Sequence, residues 1–189
     1  MKKYACLPGG IFEHNGYLLR PIQPTDIEHV RVWRNAQLCV LRQNKPISVV
    51  EQVTYYEQHV WPEMGEVQPS CLLFGFLKDQ QLIGYGGLVH IDWGTQNAEV
   101  SFLLDPARTT EPEKYGTDFM NFLNLIKRIA FDGLNFNRLF TETYAIRKHH
   151  IYVLERSAFL LERVLVDHVV IDGQKFDSLV HGCLKNYER

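Results

Sequence analysis

The chain has no run approaching the roughly 18 uninterrupted apolar residues of a membrane span, no Cys-x-x-Cys pair and no surplus of positive charge. Each shortage excludes something. Without the apolar run there is no candidate membrane helix, and no membrane partner is expected. Cys6, Cys39, Cys71 and Cys183 lie far apart, so neither a zinc knuckle nor a thioredoxin-like motif is available, and no metal site is expected. Lys plus Arg number 20 against 22 Asp plus Glu, a formal net charge of −2. That balance argues against nucleic-acid binding through bulk positive charge. After Met1-Lys2-Lys3 the first apolar run breaks at once on Pro8-Gly9, unlike a signal peptide. Scattered thiols and that beginning point to the cytoplasm. Linkers, repeats and low-complexity tracts are also missing.

What is present suits one soluble mixed α/β domain. The 189 residues are 46% hydrophobic and 22% charged, enough to bury a real core. We expect one domain over 1–189, with its core at about 17–185. Tyr17 to Ile22 reads as a short strand, and Thr25-Asp26 caps a helix whose Ile27, Val30 and Trp33 share a face. Ser48 and Glu51 are spaced as a capping box opening a second helix towards Trp61-Pro62. Cys71 to Leu77, Leu82 to Ile91 and Ala98 to Leu104 are strand-like runs. Phe119, Phe122, Leu123, Ile126 and Ala130 recur at helical spacing until Gly133. Arg138 to Tyr144 is a strand, Lys148 to Ser157 a short helix and Leu160 to Ile171 a long strand. Asp172-Gly173 then turns a hairpin into Phe176 to Leu184.

This order resembles the GNAT-type N-acetyltransferases. Leu19-Arg20-Pro21-Ile22 with Thr25-Asp26, Ile83 to Leu88, Ala98 to Phe102, Glu155 to Phe159 and Val170 to Asp177 are the matching segments. Trp33-Arg34-Asn35, with Ile47 and Glu51 downstream, is similar to one branch, which holds ribosomal-protein-type acetyltransferases and N-acetyltransferases of amino-deoxysugar nucleotides. The resemblance implies a central, mostly antiparallel twisted sheet of about seven strands flanked by about four helices. It also implies acetyl-CoA as cosubstrate.

The family receives the CoA pyrophosphate on a Gln/Arg-x-x-Gly-x-Gly/Ala loop opening its main helix, where free N–H groups and the helix dipole meet the anion. Here Glu111-Pro112-Glu113-Lys114-Tyr115-Gly116 stands in that place, and only Gly116 matches. Thr110 and Glu113 are spaced as a capping box that competes for the same N–H groups. Lys114 and the amides of Tyr115, Gly116 and Thr117 are the expected pyrophosphate contacts. Many members carry a Tyr that protonates the departing thiolate and an Asn that touches the cofactor; counting back from Phe159 puts Leu154 and Arg147 there. Arg147 is expected to pair with a CoA phosphate. Tyr152 takes the acid role only with a local shift, since two residues are roughly 200° round a helix.

Glu99 matches the family's acidic strand residue and is the candidate base, directly or through water. Backbone N–H groups near Phe102, Leu103 and Leu104 are expected to polarise the thioester carbonyl. Arg34, Asn35, His90 and Trp93 are the expected acceptor contacts, and Trp33 is core. His149 and His150 diverge by about 100° on a helix and do not share a metal. The preferred acceptor is an amino-deoxysugar nucleotide, with a protein N-terminus or small polyamine next. A non-catalytic module of the same fold, binding a ligand or a protein, is the competing class. Edge pairing leaves a homodimer open.

Overall fold

A computed structural model describes residues 1–43 and 45–187. Eight strands form one sheet in the order β1-β2-β3-β4-β5-β6-β8-β7. They are β1 Phe12–His14, β2 Tyr17–Pro21, β3 Leu72–Lys78, β4 Gln81–Asp92, β5 Asn97–Leu104, β6 Arg138–Tyr144, β7 Leu160–Ile171 and β8 Gln174–Leu184. The helices are α1 Ile27–Asn35, α2 Val49–Tyr55, α3 Pro112–Lys127 and α4 Lys148–Arg156. This is the expected mixed architecture with one strand more. The addition is β1, which folds back on β2 through Asn15-Gly16, both at positive φ (51° and 77°) as a tight hairpin turn requires.

Local chemistry explains most boundaries. Ser48 accepts the Glu51 amide and Glu51 reaches back to the Ser48 amide, so the capping box opens α2 as expected. Asp26 stands at the N-cap of α1 but makes no side-chain cap bond. Its carboxylate instead holds Arg20 at 2.6 Å and the Gln23 amide at 2.8 Å, tying β2 to α1. At α3 the expected Thr110–Glu113 box is not formed; Glu111 is the N-cap, without a side-chain cap bond. Pro112 in the first turn fixes φ where a missing N–H costs nothing.

The core is built on aromatics of α3 and the central strands. Phe102 stacks on Phe119 at 4.4 Å, with Phe76 and Phe122 edge-on to one another at 5.5 Å. Trp33 is buried in it, as expected. Among the described residues no helix is long and apolar enough to cross a membrane.

All neighbouring strands are antiparallel except β5 and β6. That parallel pair is joined only from Asn97↔Arg138 to Glu99↔Phe140. β5 runs on to Leu104 beside β4 and β6 to Tyr144 beside β8 without pairing to each other, so the sheet opens into a V.

Candidate active site

The V is a cleft of about 180 Å³. Phe102 and Ser101 line it from β5, Thr141 and Thr143 from β6, and His150 and Leu154 from α4. Beyond Glu99 the β5 backbone has no strand partner on this side among the described residues. A strand edge of this kind offers N–H and C=O groups to an extended ligand, and helix and strand walls keep water away. Of the expected β5 residues, Phe102 lines the cleft, while Leu103 and Leu104 follow it along the same edge, with the Leu104 carbonyl already taken by Gln37 at 2.8 Å.

At the mouth, Glu99 is buried but fully engaged. Its Oε1 accepts Arg42 Nη2 at 2.7 Å and its Oε2 is 2.8 Å from His90 Nδ1. Arg42 also reaches Glu142 on β6 at 3.2 Å, so one guanidinium spans the two splayed strands. On the far wall, Arg147 donates to the Tyr115 hydroxyl at 3.1 Å, and that hydroxyl is 2.6 Å from His150 Nδ1. His150 lies flat on Phe119 at 4.1 Å. Burial, then the charge of Arg147, holds His150 well below the ordinary histidine range, and burial raises Tyr115. Both are neutral at pH 7.

A second cavity, of about 390 Å³, adjoins the cleft, and Arg34, Val89 and Ser101 line both. Arg34 donates to the Tyr85 hydroxyl at 2.7 Å and to Gln43 at 2.9 Å, with Tyr55, Tyr56 and Lys45 around it.

Several expected contacts lie elsewhere. Asn35 spends its side-chain amide on the Ile47 backbone and Gln43, tying α1 to the segment before α2. Trp93 donates to the Pro69 carbonyl at 2.8 Å and packs edge-on against Phe136, so it braces a loop rather than facing the cleft. Tyr152 is 53% exposed, stacked on His149 under Arg156, because its position faces away from the cleft that Leu154 lines. The Tyr115 amide is bonded to the Glu111 carbonyl at 2.9 Å, and Gly116 and Thr117 lie deeper in α3. The N–H groups that a helix start leaves open are therefore those of Glu113 and Lys114. Thr117 Oγ1 bonds the Glu113 carbonyl, and Gly116 packs beside His149. Lys114 pairs with Glu111 at 3.5 Å and shares a groove with Lys78 and Arg108.

The sequence reading missed Arg42, Glu142, Tyr85 and the roles of Tyr115 and His150. Glu142 lies in the polar run Thr141-Glu142-Thr143 and Arg42 in a segment with no periodicity, so neither is marked by a pattern.

This geometry agrees with the family comparison. The model of the acetyltransferase (GNAT) domain matches residues 19–180, and the chain belongs to that family. It is an N-acetyltransferase of the GNAT class, with acetyl-CoA as cosubstrate. The fold is similar to that of the spermidine N-acetyltransferase of Vibrio cholerae in complex with CoA and spermine. That match has a TM-score of 0.77 and 18% identity, covering 91% of this chain and 97% of that one. A chimera of that enzyme and hSSAT matches with a TM-score of 0.77, 18% identity and coverage of 93% and 100%. A dodecameric structure of the Vibrio cholerae enzyme gives 0.75, 18%, 93% and 100%. No curated protein sequence matches the chain.

Proposed function

We propose that the chain carries acetyl directly from acetyl-CoA to the primary amine of an amino-deoxysugar nucleotide, in a ternary complex, as one cytoplasmic domain. Acetyl-CoA supplies the activated acetyl group. The β5 edge from Phe102 to Leu104, the open amides of Glu113 and Lys114, and the Lys114 and Arg147 charges are the groups that would hold it. Arg42 keeps the mouth assembled by bridging Glu99 and Glu142.

The acceptor rests on one observation, the cavity around Arg34. A guanidinium fixed by Tyr85 beside Tyr55 and Tyr56 suits hydroxyls, phosphate oxygens and a planar base. It repels the ammonium groups of a polyamine. The polyamine reading has a specific observation of its own, since Glu99 and Glu142 would attract an ammonium. Arg42 already answers both carboxylates.

Purified protein with acetyl-CoA is offered an aminodeoxysugar nucleoside diphosphate and, separately, spermidine, and CoA release is measured. The expected kcat/KM is at least about 10²-fold higher for the sugar nucleotide. The reverse ranking replaces this acceptor with the polyamine. Absence of acetyl-CoA binding by calorimetry points instead to a non-catalytic module.

A further inference from the structure

We infer that the atom taking the proton from the acceptor amine is His90 Nε2, and that Glu99 is the positioning residue that orients it. This deepens the transferase reading and rests on it.

The inference begins in the backbone. β4 and β5 pair regularly to Val89↔Glu99 and resume at Asp92↔Asn97, so His90 and Ile91 stand opposite the single residue Ala98. This is a β-bulge, a device that re-aims a side chain where pairing ends. His90 sits there at φ 48°, a left-handed conformation that a non-glycine residue adopts at a cost. Simple alternation would send residue 90 to the face opposite Val89. The bulge instead brings its ring to Glu99, Nδ1 against Oε2 at 2.8 Å. The cost is matched to a specific contact.

Glu99 is poorly placed to act alone. One oxygen faces Arg42 and the other faces His90, so an amine could reach either oxygen only past a side chain already bound to it. An ionised carboxylate beside Nδ1 keeps the proton on that nitrogen and leaves the Nε2 lone pair free. The His90 side chain is 69% exposed while Glu99 is 10% exposed, so the ring, not the carboxylate, meets an incoming amine. The charged groups lining the same cleft are Arg34, Arg42, Glu142 and Arg147, with His150 neutral.

The step balances. As the acceptor nitrogen forms its bond to the acyl carbon, the C–S bond breaks with its electron pair on sulfur. Nε2 takes the proton the nitrogen loses, and the imidazolium stays bound through Nδ1–H to Glu99. Sulfur takes a proton from water and the imidazolium returns one, so no net proton is consumed.

His90→Asn is the test variant, because Asn tolerates positive φ and spares the bulge. Acetyl-CoA binding by calorimetry should be unchanged while kcat falls by about 10² or more, and the acidic limb of the pH profile of kcat/KM should vanish. Glu99→Gln should keep that limb, with a smaller loss of rate. If His90→Asn keeps the wild-type limb while Glu99→Gln abolishes it, Glu99 is the base and the inference falls. Nitrogen-15 NMR of the wild-type imidazole judges the same point without turnover. The neutral ring should be protonated on Nδ1, and an Nε2–H tautomer overturns the assignment. A protein that binds no acetyl-CoA fails the transferase reading itself, a result the tautomer measurement separates from this one.

Discussion

Burial and the Arg147 guanidinium keep His150 neutral well below the ordinary histidine range, and stability must depend on pH as a result. The sign follows from linkage. An unfolded histidine takes up a proton near pH 6.5, whereas the native ring does not until much lower. Native stability is therefore intact above about pH 6.5 and falls as the pH drops towards the folded value. Each such histidine contributes up to about 1.4 kcal/mol per pH unit in that window. His181 shifts in the same direction, again from burial first. Replacing His150 with Phe, which preserves the stack on Phe119, removes one of the two contributions. Urea unfolding between pH 5 and 6.5 should show a shallower slope for the variant; an equal slope would mean that His150 titrates normally. Tyr152 gives the contrasting case. It is exposed on the outer side of α4, so Tyr152→Phe should leave kcat within roughly twofold of wild type. A larger loss would return it to the leaving-group role.

At the scale of elements, β4 is set by how closely its neighbours approach. A Cβ at Gly87 would lie 1.8 Å from the Leu72 carbonyl oxygen, and one at Gly86 would lie 2.2 Å from that of Ser101. Both contacts are backbone and neither side can yield cheaply. Gly86→Ala and Gly87→Ala should each cost about 3 kcal/mol in urea unfolding, and near-native midpoints would show that the strands can part. The same closeness holds β5 in register with β4, which brings Glu99 to His90. Strands of this kind were legible because periodicity and turn residues are local: Arg138 to Tyr144 and Leu160 to Ile171 have the expected bounds. β1 escaped because its three residues are too few to show alternation, although Asn15-Gly16 marks the turn. The site was legible only in part, for a different reason. Glu99 and the β5 edge follow from the resemblance to the family's strand. Arg42 meets Glu142, and Tyr115 meets His150, only after the sheet and two helices have closed. Asn35 reads as an acceptor contact because the resemblance places its helix near substrate, and Trp93 because it follows the strand end at the expected acceptor mouth. Their actual partners, the Ile47 backbone and Gln43 for one and the Pro69 carbonyl for the other, are decided by packing.

Across the whole molecule the sheet ends unequally. At one margin β1 is three residues long, a short edge that offers little to a second chain. At the other, β7 is twelve residues long with β8 on one side only. Leu160, Leu161, Val164, Val166 and Val170 are all exposed on it. The strand is not a clean template, since its register against β8 breaks between Leu165 and Val169, and Asp167 there has φ 52°. Such a bulge blunts continuous ladder pairing but leaves the apolar side chains outside. A second copy of the chain meeting β7 through those side chains is therefore the association expected. Light scattering during size exclusion should give a mass above the 22.0 kDa of one chain, falling to that value as the protein is diluted. Val166→Lys, at a side chain 76% exposed, should favour the monomer at every concentration without lowering the unfolding midpoint, because little of the residue is buried in its own chain. A monomer at all concentrations for the native protein would mean that the bulge alone protects this edge. A larger assembly that survives Val166→Lys would place the contact on another face.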